Sequence, residues 1–234
     1  MDRHKQLEHF IAANPDKVGK VVYFDAARHK LLRLDFTDAN HELSPEIIGH
    51  TQQFSAWVFK KLKENKCKYG VGGYFENRTI YSRSALFNTT AEPRCLHLGI
   101  DIWGDAGTMV YAPLAGKVHS FQDNDNFGDY GATIILEHHL DGLKLFSLYG
   151  HLNDESFLGL SEGMAIEKGE ALGEFGSTEE NGNWPPHLHF QLMFDMEGLK
   201  GDYPGACRLS EQDKYRHNIA DPGLILQFPA GSII

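Results

Sequence analysis

The chain has 234 residues and a formal net charge of -10, from 22 Lys and Arg against 32 Asp and Glu. Its hydrophobic content of 41% excludes wholesale disorder, because such a chain can bury a substantial core. The length corresponds to one or two domains. The acidic balance argues against nucleic acid as a partner, since the protein would repel phosphates.

The sequence also indicates the cellular compartment of the protein. It contains no stretch approaching the ~20 apolar residues of a membrane span, and the charged first 15 residues are unlike a signal peptide. Its three cysteines, Cys67, Cys95 and Cys207, are an odd number without a C-x-x-C pair, which argues against a disulfide framework. We therefore expect a cytoplasmic protein with no membrane span, or an exported one if an export signal has been removed.

Residues 1–66 are predicted to form an N-terminal accessory region of α+β structure. Two β-branched and aromatic runs, at 21–25 and 31–36, indicate a strand pair or hairpin. Ser44 is a candidate N-cap ahead of Pro45, and apolar residues then recur at helical spacing as far as Lys66. We expect this region to pack on the rest of the chain.

Residues 67–200 are predicted to form a mainly β domain with an antiparallel sheet. Short apolar runs separated by Gly-rich turns indicate its strands, at 109–112, 116–121, 133–137, 143–149, 171–175 and 188–194. Residues 123–128 fit a hairpin turn near a cleft, and Trp103 and Trp184 fit either cleft walls or core. Residues 201–234 are predicted to be a C-terminal packing tail.

Three histidine motifs lie in the sheet region: H-x-x-x-D at His97 and Asp101, Y-G-H-L with His151, and H-x-H at His187 and His189. Residues two apart on a strand share a face, so the H-x-H pair can face one site. The four-residue spacing places His97 and Asp101 on one face of a strand or of a helix. Two imidazoles and one carboxylate leave a fourth zinc position open, as in catalytic sites.

In this order the three motifs resemble the lysostaphin and LytM type of zinc metallopeptidases, which are peptidoglycan endopeptidases. Residues 111–118, YAPLAGKV, resemble the strand that follows the first motif in that family. Residues 163–173, GMAIEKGEALG, resemble its G-x-x-V-x-x-G-x-x-I-G hairpin. The resemblance spans about residues 94–195 and leaves the N-terminal region and the tail uncovered.

The resemblance implies one zinc ion per chain, bound by His97, Asp101 and His189. It implies that His151 and His187 line the site without binding metal, assist deprotonation of water and stabilise the oxyanion. The function it implies is zinc-dependent hydrolysis of a peptide bond, in peptidoglycan-derived or other short peptides.

Residues 72–84, just before the first metal motif, depart from the family's minimal pattern. Their two arginines and their aromatic residues predict a substrate-binding segment, in which Arg78 or Arg83 clamps a carboxylate bidentately and Tyr81 also takes part. The alternative is an extended, solvated connector whose arginines pair with the acidic surface.

Two other functions are compatible with the sequence. One is an intracellular zinc-dependent hydrolase or amidase acting on a small metabolite, which the cysteine usage favours. The other is a non-catalytic binding or activator module, against which the complete set of metal-binding residues argues. The substrate's identity and the oligomeric state are not predicted.

Overall fold

The structure is a computed structural model that describes residues 2–229 and 231–234. Its α-helices are α1 (Arg3–Ala13), α2 (Pro45–Gly49), α3 (Thr51–Asn65), α4 (Gln212–Asn218) and α5 (Gly223–Leu226). Its strands are β1 (Leu31–Arg33), β2 (Tyr69–Gly72), β3 (Leu96–His97), β4 (Ile100–Trp103), β5 (Met109–Tyr111), β6 (Gly116–Asn124), β7 (Gly131–Leu140), β8 (Leu143–Leu152), β9 (Ala165–Ile166), β10 (Ala171–Glu174), β11 (His187–Met193), β12 (Ala206–Cys207) and β13 (Ile219–Ala220).

Among the described residues, nine strands form one sheet in the order β1-β2-β4-β11-β8-β7-β6-β9, with β13 beside β11. Strands β1 and β2 are parallel, and the other neighbours are antiparallel. Two further antiparallel pairs join β10 to β5 and β12 to β3. The predicted fold class, a mainly β protein with an antiparallel sheet, is therefore confirmed. All six predicted strands are present.

Strand β11 lies between β4 and β8 and positions the histidines. All seven of its residues are buried. Leu188, Phe190 and Leu192 join the main hydrophobic core. Because side chains alternate along a strand, His187 and His189 project from the opposite face. The H-x-H alternation thus directs the apolar side chains into the core and the two imidazoles towards the site.

The N-terminal region differs from the prediction in its local pairing. The expected hairpin is wrong: β1 pairs in parallel with β2, and Val22 forms an isolated antiparallel bridge to Val110. Helix α1 was not expected, although Leu7, Phe10 and Ile11 follow helical spacing and are buried.

The helix expected after Ser44 is present but divided in two. Ser44 caps α2 by accepting a hydrogen bond from the Ile47 backbone N–H at 3.3 Å. A break at His50 then separates α2 from α3. Helix α3 packs Phe54, Val58 and Leu62 into one cluster with the two tryptophans that stand behind the site, Trp103 and Trp184.

The tail from residue 201 also pairs with the β structure: β13 joins the main sheet beside β11, and β12 forms the separate pair with β3. The boundaries at residues 66 and 200 stay predictions. In the part of the chain that the structure describes, no helix combines the length and hydropathy that crossing a membrane requires.

Candidate metal centre and active site

His97, Asp101 and His189 converge on one point, and all three are buried. Their facing atoms are His97 Nε2, His189 Nδ1 and Asp101 Oδ1. The two nitrogens are 3.0 Å apart, and they lie 3.2 Å and 3.0 Å respectively from the carboxylate oxygen. The pairing of β11 with β4 sets His189 directly opposite Asp101, which accounts for their contact.

His97 reaches the centre by a different route from the one its spacing suggested. The chain leaves β3 at His97 and enters β4 at Ile100, with a break at Leu98 and Gly99. The expectation that one continuous strand or helix carries both members of H-x-x-x-D is therefore wrong. Two strands separated by a bend bring His97 and Asp101 together.

Hydrogen bonds on the outer ring nitrogens assign the tautomers of the two imidazoles. His97 Nδ1 lies 2.9 Å from the Gly73 carbonyl oxygen, and His189 Nε2 lies 3.0 Å from Gln191 Oε1. Each outer nitrogen carries the proton and donates it, because its partner can only accept. The inner nitrogens therefore present lone pairs to the centre, as metal-binding imidazoles do.

This donor set fits a zinc ion. Two imidazole lone pairs and a carboxylate oxygen about 3 Å apart repel one another unless a cation lies between them. Burial, reinforced by the nearby Arg78 charge, lowers the pKa of His97 to about 3, so the imidazole is neutral at pH 7. Burial acts to raise the pKa of Asp101, but the charge of the Arg78 guanidinium holds it well below its ordinary value. Both residues are thus in the protonation state that coordination needs.

His151 and His187 lie beside this centre as a neutral pair. Their rings are 4.0 Å apart between centroids. His151 Nδ1 donates to the Asn181 carbonyl at 2.9 Å, and His187 Nδ1 donates to the Pro185 carbonyl at 2.8 Å. Each therefore keeps an unprotonated Nε2. Burial lowers the pKa of His187 to about 4, and burial and then the neighbouring His187 hold that of His151 well below its usual range.

A cavity of about 120 Å³ opens beside these side chains and is lined by Asp101, His151, His187 and His189. Aromatic residues form much of its wall, namely Tyr81, Phe87, Trp103, Tyr130 and Trp184. The hairpin between β6 and β7 contributes Gly128 and Asp129, as expected of a turn near the cleft. The two tryptophans are both cavity wall and core, being 1% and 3% exposed.

The predicted substrate-binding residues lie in different surroundings. Tyr81 lines the cavity and is 8% exposed. Arg78 lines it too, but its guanidinium is paired with Asp101 and Glu76. Arg83 is half-buried with its guanidinium 4.7 Å from the Trp184 ring. Its Nη2 donates to Thr51 Oγ1 at 2.8 Å, and its Nε and Nη1 have no hydrogen-bond partner among the described residues. Buried side chains in this segment disfavour the solvated connector.

Three residues of the site were missed from the sequence. Gln191 could have been found, since it follows His189 by two residues and so shares its strand face. Glu76 and Tyr130 carried no local signal. The Tyr130 hydroxyl lies 3.4 Å from His189 Nε2, and its ring fits against β8 because Gly150 has no side chain: a Cβ there would lie 2.6 Å from the ring.

The profile of peptidase family M23 matches residues 96–200. No curated protein sequence matches the chain.

Similar solved structures include a zinc-containing peptidase from Vibrio cholerae, with 24% identity and a TM-score of 0.34, over 42% of this chain and 27% of that one. The catalytic domain of lysostaphin from Staphylococcus simulans has 24% identity and a TM-score of 0.36, over 52% of this chain and 80% of that domain. Csd3 from Helicobacter pylori has 22% identity and a TM-score of 0.33, over 53% of this chain and 32% of that one.

The segment that matches the profile contains H-x-x-x-D, Y-G-H-L and H-x-H in this order. M23 peptidases are zinc-dependent metalloendopeptidases, and the cofactor expected from the sequence agrees with this family and with the donor set of the centre. Residues 96–200 of this chain are thus similar in sequence to the metallopeptidase domain of peptidase family M23.

Proposed function

We propose that the protein hydrolyses a peptide bond in short peptides, such as soluble fragments of peptidoglycan. One observation carries this proposal. Two imidazole lone pairs and a carboxylate oxygen converge at a cavity, and a second, neutral pair of imidazoles stands beside them. Three ligands with an open fourth position describe a catalytic rather than a structural zinc site.

We assign zinc binding to His97, Asp101 and His189, and proton transfer to His151 and His187. Zinc bound there would supply Lewis-acid chemistry, by polarising the scissile carbonyl and activating water. The free Nε2 atoms of His151 and His187 can accept the proton of the attacking water and return it to the leaving amine. Once protonated, the same groups can donate a hydrogen bond to the developing oxyanion.

The size of the cavity supports a short substrate. Its volume is about 120 Å³, well below the ~300–1,000 Å³ of sites that hold drug-sized ligands. It therefore accommodates the scissile bond with small neighbouring groups more readily than a bulky cross-linked polymer.

We further propose that the substrate carries a free carboxylate near the scissile bond. Of the two arginines predicted to bind it we favour Arg83, which pairs with no carboxylate among the described residues and whose guanidinium packs 4.7 Å from the ring of Trp184 in the cavity wall. Arg78 already has carboxylate partners within the chain. Tyr81 lines the cavity, and its hydroxyl lies 3.4 Å from Arg78 Nη1.

Paired substrates test the clamp: short peptides with a free carboxylate, and the same peptides amidated. Arg83→Leu should raise KM for the carboxylate peptide far more than for its amidated partner, because only the former loses a bidentate ion pair. Arg78→Leu is measured alongside it. Equal losses on both peptides in both variants would exclude a carboxylate clamp.

The same assay distinguishes the substrate classes. Efficient digestion of whole sacculi would favour an exported endopeptidase over an enzyme of soluble fragments. Hydrolysis of small amides but of no peptide would instead favour a metabolite amidase.

For location we propose the cytoplasm. Cys67, Cys95 and Cys207 are all free thiols, the state that a reducing compartment preserves. Cell fractionation with an antibody against the natural protein tests this, and recovery in an exported fraction would contradict it.

A further inference from the structure

We propose that Arg78 is a positioning residue that fixes the orientation of Asp101, so that only one carboxylate oxygen faces the metal. The inference rests on the proposed zinc site and concerns how the protein builds it.

The two oxygens of Asp101 have different partners. Oδ1 faces the imidazole nitrogens of His97 and His189, at 3.2 Å and 3.0 Å. Oδ2 accepts a hydrogen bond from Arg78 Nη1 at 2.5 Å. Turning the carboxylate so that both oxygens face the two imidazole nitrogens would move Oδ2 away from Arg78 Nη1 and weaken that bond. Arg78 thereby favours monodentate coordination.

Arg78 is itself fixed. Its Nε donates to Glu76 Oε2 at 2.8 Å, and its guanidinium lies 5.2 Å from the Phe36 ring. The residue is 3% exposed. An arginine that is buried, paired at two nitrogens and in contact with an aromatic ring has little freedom to change rotamer.

The segment that carries Arg78 also positions a second ligand. The Gly73 carbonyl accepts a hydrogen bond from the N–H of His97 Nδ1. Two backbone hydrogen bonds, from Phe75 N to His97 O at 2.8 Å and from His97 N to Glu76 O at 2.9 Å, join the segment to β3. Residues 73–78 therefore orient both members of the H-x-x-x-D motif. This gives the departure from the family's minimal pattern a function at the metal.

A clamp on the substrate is the competing function for Arg78. A bidentate clamp needs two nitrogens of Arg78, and among the described residues only the buried Nη2 lacks a partner. A substrate carboxylate would therefore have to displace Asp101 from Nη1 or Glu76 from Nε. The positioning function needs no such exchange.

The test measures metal binding rather than turnover. Arg78→Met and Glu76→Gln are prepared in the full chain, together with Arg28→Met, which removes an exposed arginine from its pairing with Asp25 as a matched control. Zinc dissociation constants are obtained by competition with a chelating dye. Visible absorption of the cobalt(II)-loaded proteins reports coordination number, since higher coordination weakens the cobalt bands.

We expect Arg78→Met to weaken zinc binding by at least ~10-fold, the scale on which lost partners of metal ligands act. Its cobalt bands should weaken as Asp101 becomes bidentate. Glu76→Gln should shift both measurements in the same direction by less, and Arg28→Met should change neither. Should Arg78→Met not fold, by circular dichroism of the metal-free chain, Glu76→Gln decides by the same two measurements.

Unchanged zinc affinity and cobalt spectrum in Arg78→Met and Glu76→Gln would overturn the proposal. If in addition KM rose selectively for carboxylate peptides, Arg78 would belong to the substrate clamp. An unmodified chain that binds no zinc would refute the proposed function itself, which is a different result.

Discussion

At the scale of single residues, each imidazole of the centre has one nitrogen committed to an oxygen of the protein and one left free. The oxygens of Gly73 and Gln191 accept the hydrogen bonds from His97 and His189. Those of Asn181 and Pro185 accept the hydrogen bonds from His151 and His187. The four histidines therefore divide into two whose free nitrogens face Asp101, His97 and His189, and two whose free nitrogens do not. Their separate functions can be tested one side chain at a time.

Removal of a ligand should empty the site. We expect the unmodified protein to hold about one zinc per chain, and His189→Ala or Asp101→Ala to hold almost none, because two donors are too few. Elemental analysis of dialysed protein measures this, with His139→Ala, an exposed imidazole, as control. Undiminished zinc in both variants would refute the ligand assignment.

Substitution of His151 or His187 by alanine should lower activity without removing zinc. Each variant should keep its zinc and lose turnover by at least ~10²-fold, the usual effect of removing an acid–base or oxyanion group. Metal content and kcat are measured on the same preparation. Zinc loss from His187→Ala would show that the members of H-x-H are assigned in reverse, and near-normal kcat in both would refute their catalytic function.

The backbone of His151 supports a functional reason for a histidine there. Its φ of 64° lies in the left-handed region, where a residue with a Cβ is strained and glycine is favoured. Strain of this kind is retained at sites where the side chain is needed.

At the scale of elements, the centre depends on how closely the bend between β3 and β4 approaches β11. Gly99 lies at this bend, between the two ligands of H-x-x-x-D. A Cβ at Gly99 would lie 2.7 Å from the His189 ring and 2.7 Å from the Phe190 carbonyl oxygen. Only glycine permits this spacing.

Gly99→Ala should therefore displace His189 or separate the strands. We expect it to weaken zinc binding and to destabilise the fold by ~1–3 kcal/mol, the usual effect of overpacking. Chelator competition and urea unfolding measure the two effects. Gly49→Ala is the control, since a Cβ there meets no atom within 4 Å. Equal zinc affinity in the two variants would contradict the close approach.

At the scale of the whole molecule, buried neutral histidines make stability depend on pH. Burial lowers the pKa of His97 to about 3, with a contribution from Arg78, and lowers those of His138 and His187 to about 4. The unfolded chain binds these protons near pH 6.5. As the pH falls from about 6.5 towards about 4, protonation favours the unfolded chain, so the stability present above 6.5 is lost.

The metal-free protein should show this directly. Each of these histidines contributes up to about 1.4 kcal/mol per pH unit to the free energy of unfolding. Urea unfolding at pH 7, 6 and 5 should give decreasing stability. His138→Gln should flatten the dependence, because it removes one buried neutral imidazole. Constant stability from pH 7 to 5 would contradict the buried neutral state.

Patterns that the chain carries locally were readable from its sequence. Strands such as β7 and β11 can be predicted from short apolar runs and from alternating residue types, because side chains alternate between the two faces of any strand. The H-x-H alternation placed His187 and His189 on one face for the same reason. The three motifs together indicated the family and its zinc.

Contacts between distant segments were decided only by the tertiary structure. The parallel pairing of β1 with β2, the bend that brings His97 back to Asp101, and the position of Tyr130 against Gly150 all depend on which segments lie side by side. Arg78 shows the difference most clearly. Its sequence context indicates a charged group near the first metal motif, but whether it meets a substrate or the Asp101 carboxylate depends on packing. The physical reason is that residue spacing fixes side-chain directions within one strand or helix. The partner of a charged side chain, by contrast, depends on which other elements pack against that strand or helix.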